Sequence, residues 1–181
     1  SPAAAQVDYR SAWLQSGPQA RVGLGEQIGE EGAYSYARGK GYRPLLTPAN
    51  KSYRQGLDQV YSSSTGKTVV VEAKGGSAPI NRGYGYVQGT SEWAVESAAR
   101  TLKTSKASQA EKAAALRVLR SAKKGDLRVE TVKTRHTLGT PKKPTSQKVI
   151  GTSGKAKKLA RKRLAELRRQ GKLDKVSTST S

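Results

Sequence analysis

The 181-residue chain has no cysteine, no methionine and no phenylalanine, and a single histidine. Without cysteine there is no disulfide framework, no thiolate nucleophile and no thiolate metal site. The fold therefore does not depend on redox state and is compatible both with export and with a reducing cytosol. Methionine is missing even at position 1, where Ser1 stands; a trimmed start and release from a longer chain both fit this. With no Phe and 34% hydrophobic residues, the core has to be built from Ala, Val, Leu, eight Tyr and two Trp. No run approaches the roughly 18 apolar residues of a membrane-spanning helix. No stretch has the charged, apolar, small-residue order of a secretory signal. Acidic residues are also scarce: 13 Asp and Glu face 34 Lys and Arg, a net charge of +21. That excess is far beyond the needs of solubility. It draws polyanions, whether nucleic acid, anionic membrane or an acidic protein.

Residues 1–22 show no sustained period and read as an arm that docks through Trp13. Residues 23–138 read as one domain and residues 139–181 as a basic extension. Within the domain, Leu24, Ile28, Glu31, Ala33, Tyr34 and Ala37 keep helical spacing, which predicts a helix over about 24–38 stopped by Gly39 and Gly41. It carries Glu26, Glu30 and Glu31 near its start, and its own glycines weaken the signal. Two strand-like runs follow, one from Gly56 to Tyr61 and one from Lys67 to Lys74. The second is β-branched and largely apolar, as a buried strand would be. The Ser-rich stretch between them has turn chemistry, so the pair is expected to form a β-hairpin. Residues 75–89 are rich in Gly and read as an open loop carrying Tyr84 and Tyr86. Helices are expected over about 92–104, capped by Ser91, and from the capping box Ser108–Glu111 to Gly125. A strand is expected from Leu127 to Leu138. Residues 139–181 hold 13 Lys and Arg against 2 Asp and Glu, a net of +11, with a basic helix over about 155–170. The fold class expected is α/β, a small mixed sheet of about four strands flanked by helices.

Chemistry concentrates in the hairpin. Side chains alternate faces along a strand, so Glu72 and Lys74 point the same way and Ala73 the other. Asp58, at the start of the partner strand, is expected to face Glu72 across the ladder. Two such carboxylates repel unless a cation lies between them, and oxygen ligands of this kind suit Mg²⁺ or Mn²⁺. A cation held there can polarise a phosphoryl oxygen and lower the pKa of a bound water. Lys74 can stabilise developing phosphorane charge or orient the attacking water. The set suffices for phosphodiester hydrolysis without His or Cys. An isolated Glu-x-Lys is a common solvated salt pair. Here it ends a strand of three valines and precedes two glycines, a place where charge needs a reason.

The stretch GLDQVYSSSTGKTVVVEAKGG resembles the restriction-endonuclease-like, PD-(D/E)xK core found in C-terminal toxin domains of bacterial polymorphic toxins. The resemblance covers about residues 24–104, and the hairpin is its specific part. It implies a nuclease in which Asp58 and Glu72 are metal ligands, the Ala73 carbonyl is a third, and Lys74 is the catalytic lysine. It implies an acid from the preceding helix, for which Glu26 is taken ahead of Glu30, and a glutamine on the following helix, for which Gln88 fits. Leu57 stands where the motif has Pro, and Trp93 where a Tyr is common. The resemblance further implies delivery of a toxin into a target cell's cytoplasm and a neutralising, acidic immunity protein as partner. DNA is the expected substrate, with RNA, especially tRNA, as the rival.

Other residues have side chains suited to nucleic-acid contact. Arg82, Tyr84 and Tyr86 could stack on bases or track a backbone from their loop, although rings packing on the core are the commoner outcome. Lys157, Lys158, Arg161 and Arg163 of the basic helix could bind phosphates in a salt-dependent way. His136 could act as a general base in a metal-independent ribonuclease, but no second His or adjacent acid supports it. A binding protein without catalysis, owing everything to its charge, is the alternative of a different class.

Overall fold

A computed structural model describes residues 12, 15–75, 82–135 and 146–176. Its core is a five-stranded mixed sheet with helices on both faces. The chain runs α1 (Pro18–Gly39), β1 (Arg43–Leu46), a 3-10 turn (Pro48–Asn50), β2 (Gln59–Ser62) and β3 (Thr68–Gly75). A small ribbon follows, β4 (Arg82–Gly83) and β5 (Tyr86–Val87), then α2 (Ser91–Lys103), α3 (Gln109–Lys124) and β6 (Leu127–Thr134). β7 (Ser146–Ile150) and α4 (Gly154–Arg169) complete it. The sheet order is β1-β2-β3-β6-β7. β1, β2 and β3 are mutually antiparallel, β6 lies parallel to β3, and β7 is antiparallel to β6. Two helices packed on one another, α2 and α3, make the crossover that a parallel pair requires.

β3 is buried on both faces, which is why its valines run without a break. Val69 and Val71 pack with Ala33, Tyr36 and Ala37 of α1. Val70 packs into the larger cluster built by α2, α3 and α4. By the same alternation Glu72 and Lys74 fall on the α2–α3 face. Glu111 of the capping box does more than cap α3. Its carboxylate is buried and accepts from the backbone of Ser52 at 2.7 Å, Tyr53 at 2.9 Å and Ser108 at 3.1 Å. It thereby ties the 51–58 loop to the helix that precedes β6.

Several sequence expectations change. α1 begins at Pro18, a residue whose fixed φ suits the first helical position, not at Leu24. Thr90, not Ser91, caps α2 by accepting from the Trp93 N–H. The loop with Tyr84 is a tight hairpin, because Tyr84 and Gly85 have φ of 56° and 81°, the left-handed pair that a two-residue turn demands. The basic stretch after residue 139 is not an appendage. β7 is a strand of the main sheet, and α4 buries Ala156, Ala160, Leu164 and Leu167 against α2 and α3. The helix and the one-sided Leu159, Leu164 and Leu167 are as the spacing predicts, with Ala156 and Ala160 completing the buried stripe; most of its Lys and Arg lie on the outer side. Trp13 and His136 lie outside the described residues. Among the described residues no helix is long and apolar enough to cross a membrane.

The glycines of α1 have a packing role. Gly25, Gly29 and Gly32 are buried on one face of the helix. A Cβ on Gly29 would stand 2.7 Å from the Gly75 nitrogen and 2.8 Å from the Lys74 carbonyl carbon. A Cβ on Gly75 would stand 1.9 Å from the Gly25 oxygen. Helix and strand backbones meet there directly, and backbone cannot yield as a side-chain tip can. Gly29→Ala is expected to destabilise the protein by roughly 1–3 kcal/mol, despite alanine's better helix propensity. An exposed control, Gly23→Ala, with nothing within 4 Å, is expected to be neutral or stabilising. Paired denaturant titrations of the two variants check this.

Candidate active site

At the C-terminal end of β3 three carboxylates and two lysines arrive from four different elements. Glu72 and Lys74 come from β3, Asp58 from the residue before β2, Lys51 from the end of the 3-10 turn, and Glu30 from α1. The antiparallel register, Gln59 opposite Val71 and Val60 opposite Val70, continues to place Asp58 opposite Glu72 as the spacing predicts. β2 has ended by then, so the Asp58 side chain takes over the ladder: its Oδ2 accepts from the Ala73 N–H at 3.0 Å. In an extended strand the N–H and carbonyl of one residue point to the same side. The Ala73 carbonyl is therefore directed to the Asp58 side, where no β2 amide remains to pair with it.

Glu72 is 3% exposed, and no donor of the protein reaches its Oε2; the one group near enough to share a hydrogen bond with its carboxyl is the Asp58 carboxylate, which accepts only if Glu72 carries the proton. The other oxygen of Glu72 lies 3.9 Å from the Lys74 ammonium. Burial first, and then the Asp58 charge, push its carboxyl well above the usual carboxylate range, with Lys74 and Lys51 opposing. Lys74 donates to Gln88 Oε1 at 2.7 Å, which fixes the ammonium between the carboxylate and the turn leading into α2. Asp58 is half-buried and meets Lys51 at 3.5 Å. Glu30 is raised as well, by burial and then by Asp58.

Asp58, Glu72, Lys74 and Gln88 are thus brought together, with Ala73 between them. Glu26 is not. It lies exposed on α1 and pairs with Arg54 at 3.2 Å, outside the cleft. One turn further along α1, Glu30 is the acid that stands in the field of Asp58. Sequence reasoning missed Lys51 altogether. It sits in no periodic element, and only the tertiary clamp of Glu111 on its neighbours brings it to Asp58.

Among the described residues no three acidic or imidazole side chains converge as a ready metal cage. The donor set is instead two carboxylates and a backbone carbonyl, one of the carboxylates with an orphaned buried oxygen. This fits Mg²⁺ or Mn²⁺, which bind through one or two carboxylates and keep several waters, better than Ca²⁺ or Zn²⁺.

The residues expected to meet nucleic acid divide. Lys157, Lys158 and Arg161 are exposed on α4. Arg163 is spent within the fold, bonded to Glu96 at 2.9 Å and Glu166 at 2.8 Å, so it links α2 to α4 instead of facing solvent. Tyr84 and Tyr86 pack partly against the core, with Arg100 4.5 Å from the first ring and Lys155 5.4 Å from the second. Rings already capped by cations are not open stacking platforms. Arg82 opens β4. Compared with protein-family models, curated proteins and solved structures, the chain matches none.

A raised carboxyl has a thermodynamic signature. Folded Glu72 keeps its proton at pH values where the unfolded chain, with an ordinary value of 4.5, has released it. Stability therefore falls as pH rises from about 4.5 through the folded value. Glu72→Gln removes that loss. In chelator, the variant is expected to melt at a higher temperature than wild type, by a margin that widens from acid to neutral pH. Melting curves across this range decide it.

Proposed function

We propose that the protein is a metal-dependent nuclease that hydrolyses phosphodiester bonds, with a restriction-endonuclease-like core. The observation that carries the proposal is Glu72: a buried carboxylate with an orphaned oxygen, set beside Asp58 and within 3.9 Å of Lys74. Such an arrangement costs stability and serves no packing purpose, which is how sites for chemistry differ from cores. The α/β architecture, an antiparallel hairpin followed by a parallel strand with helices on both faces, agrees with the resemblance of GLDQVYSSSTGKTVVVEAKGG to the PD-(D/E)xK motif.

Asp58, Glu72 and the Ala73 carbonyl would hold Mg²⁺ or Mn²⁺. The ion supplies Lewis acidity toward a phosphoryl oxygen when bound. The chain's own residues do the rest. Lys74, held by Gln88, presents its ammonium to the oxygens that gain charge as water attacks phosphorus. The bond to the leaving oxygen then breaks, and that oxygen takes up a proton. Gln88 leaves Lys74 fewer orientations, which is worth most when the charge has to be met without reorganisation. Glu30, facing Asp58 from α1, adds acceptor capacity at the rim.

The +21 charge supports a polyanionic substrate. DNA is favoured over RNA by resemblance alone, as are delivery into a target cell's cytoplasm as part of a larger toxin and an acidic immunity protein as partner. Incubation with plasmid and with total RNA, in Mg²⁺ or Mn²⁺ and with chelator, is the direct test. Cleavage of one substrate is expected, lost in chelator. Glu72→Gln and Lys74→Ala are each expected to lower the rate by roughly two to three orders of magnitude. A Glu72→Gln variant as active as wild type would refute the catalytic assignment. Binding without cleavage in either metal would make the chain a nucleic-acid-binding module.

A further inference from the structure

Lys51 is a cation that the motif does not contain. Its side chain is only 12% exposed, and its ammonium lies 3.5 Å from Asp58 Oδ1. Its charge also acts on Glu30 and on Glu72, holding both carboxyls lower than burial alone would set them. A lysine loses much hydration on entering such a place, and it stays only where several carboxylates repay the loss. The delivery is built. Glu111 holds the two residues after Lys51 through the Ser52 and Tyr53 amides and the Ser52 hydroxyl at 2.8 Å. Lys74 cannot do the same for Asp58, because its ammonium is engaged by Gln88 and Glu72. Asp58 and Glu72 therefore share their field with two lysines, and the one on Asp58 stands beside the oxygens a divalent ion would need.

We propose that the Lys51 ammonium is a resident counter-ion that holds the place of the divalent cation in the metal-free protein, so that metal loading and the Lys51–Asp58 pair exclude one another. The inference rests on the nuclease reading of Asp58 and Glu72. A lysine on a four-carbon stem can withdraw by rotamer change while the Glu111 clamp keeps its backbone fixed. The metal-free protein then carries no bare carboxylate cluster, and the site loads metal only above the concentration at which the ion outcompetes the ammonium.

Two measurements on the full chain test this. The first is calorimetric titration of wild type and Lys51→Met with Mn²⁺. The variant is expected to bind roughly tenfold more tightly or better, because no ammonium has to leave. The second needs no variant: lysine acylation read by mass spectrometry, in chelator and in saturating Mn²⁺. Lys51 is expected to be protected in chelator and modified once Mn²⁺ binds, with exposed Lys157 unchanged as control. If Mn²⁺ binds wild type while Lys51 stays equally protected, the counter-ion role is refuted and the nuclease reading stands. The same holds if Lys51→Met binds no more tightly. If neither protein binds Mn²⁺ at millimolar concentration, the metal reading fails and the inference with it. Should Lys51→Met fail to fold, the acylation pattern of wild type decides alone.

Discussion

The contact on which the site depends is the meeting of two backbones, the glycine face of α1 and the end of β3. A Cβ on Gly29 would collide with the Lys74 and Gly75 main chain, and a Cβ on Gly75 with the main chain of Gly25. This closeness lets a helix cover a strand that terminates in charge. It also carries Glu30 from the opposite face to the edge of the Asp58–Glu72 pair. A bulkier interface would push α1 outward and carry Glu30 away from Asp58. Glu72 itself lies on the other face of β3, the side of Val70, so the two faces of the strand contribute different members of the cluster.

Electrostatic strain and its relief are divided among few groups. The protein has 13 acidic residues, and half of those described are tied to donors elsewhere in the fold. Glu111 clamps the 51–58 loop, Glu130 accepts from Tyr42 and pairs with Arg128, and Glu92 accepts from Ser153. Glu26, Glu96 and Glu166 are each tied to an arginine. The carboxyls pushed upward are Glu30 and Glu72, and both lie in the field of Asp58. Glu111 is the instructive contrast. Its residue is as little exposed, and burial by itself would raise it, yet the amides and hydroxyl it accepts from bring its carboxyl below the usual range. Glu72 differs in both respects: its carboxyl is desolvated more deeply, and no such set of donors answers it.

That contrast also explains what could be seen in the sequence. The hairpin register was legible because a two-residue alternation and a short turn leave little freedom, and the helices with β2, β3 and β6 followed from period and caps. β1 and β7, short edge strands without alternation, were not, so the sheet has five strands where about four were expected. Lys74 with Gln88 came from a motif. Lys51 and the Glu111 clamp were not legible, because 59 residues separate Ser52 from Glu111 and nothing local marks either end. Glu30 and Glu26 are one helical turn apart with the same chemistry. The choice between them depends on where α1 pivots about its glycines, which is a tertiary fact. The segment from residue 139 on misled through composition: its charge suggested an extension, although the helix with Leu164 and Leu167 on one side was legible, and what that stripe packs against, together with the pairing of β7 on β6, is tertiary.

The charge of the molecule and the chemistry of the site operate over different distances. Exposed Lys157, Lys158 and Arg161 on α4 act through a field that salt screens within about 8–10 Å, so their contribution to capturing a polyanion is salt-dependent and indifferent to its detail. The Glu72–Lys74–Gln88 arrangement acts over 2.7–3.9 Å in a place largely closed to water, where screening hardly reaches. A protein of this charge draws anions whether or not it transforms them, so the charge cannot argue for catalysis. It would equally be needed by a protein that only binds. Burial with one oxygen unanswered is not by itself the mark of such a site, because Glu130 shares it at 2% exposure while Tyr42 and Arg128 meet its other oxygen. What sets Glu72 apart is its company: a second carboxylate, Asp58, that raises its carboxyl further, and the Lys74 ammonium held at its side by Gln88. Binding alone has no use for two acids and a lysine gathered in one buried place, and that convergence is the strongest physical reason to place chemistry at the end of β3.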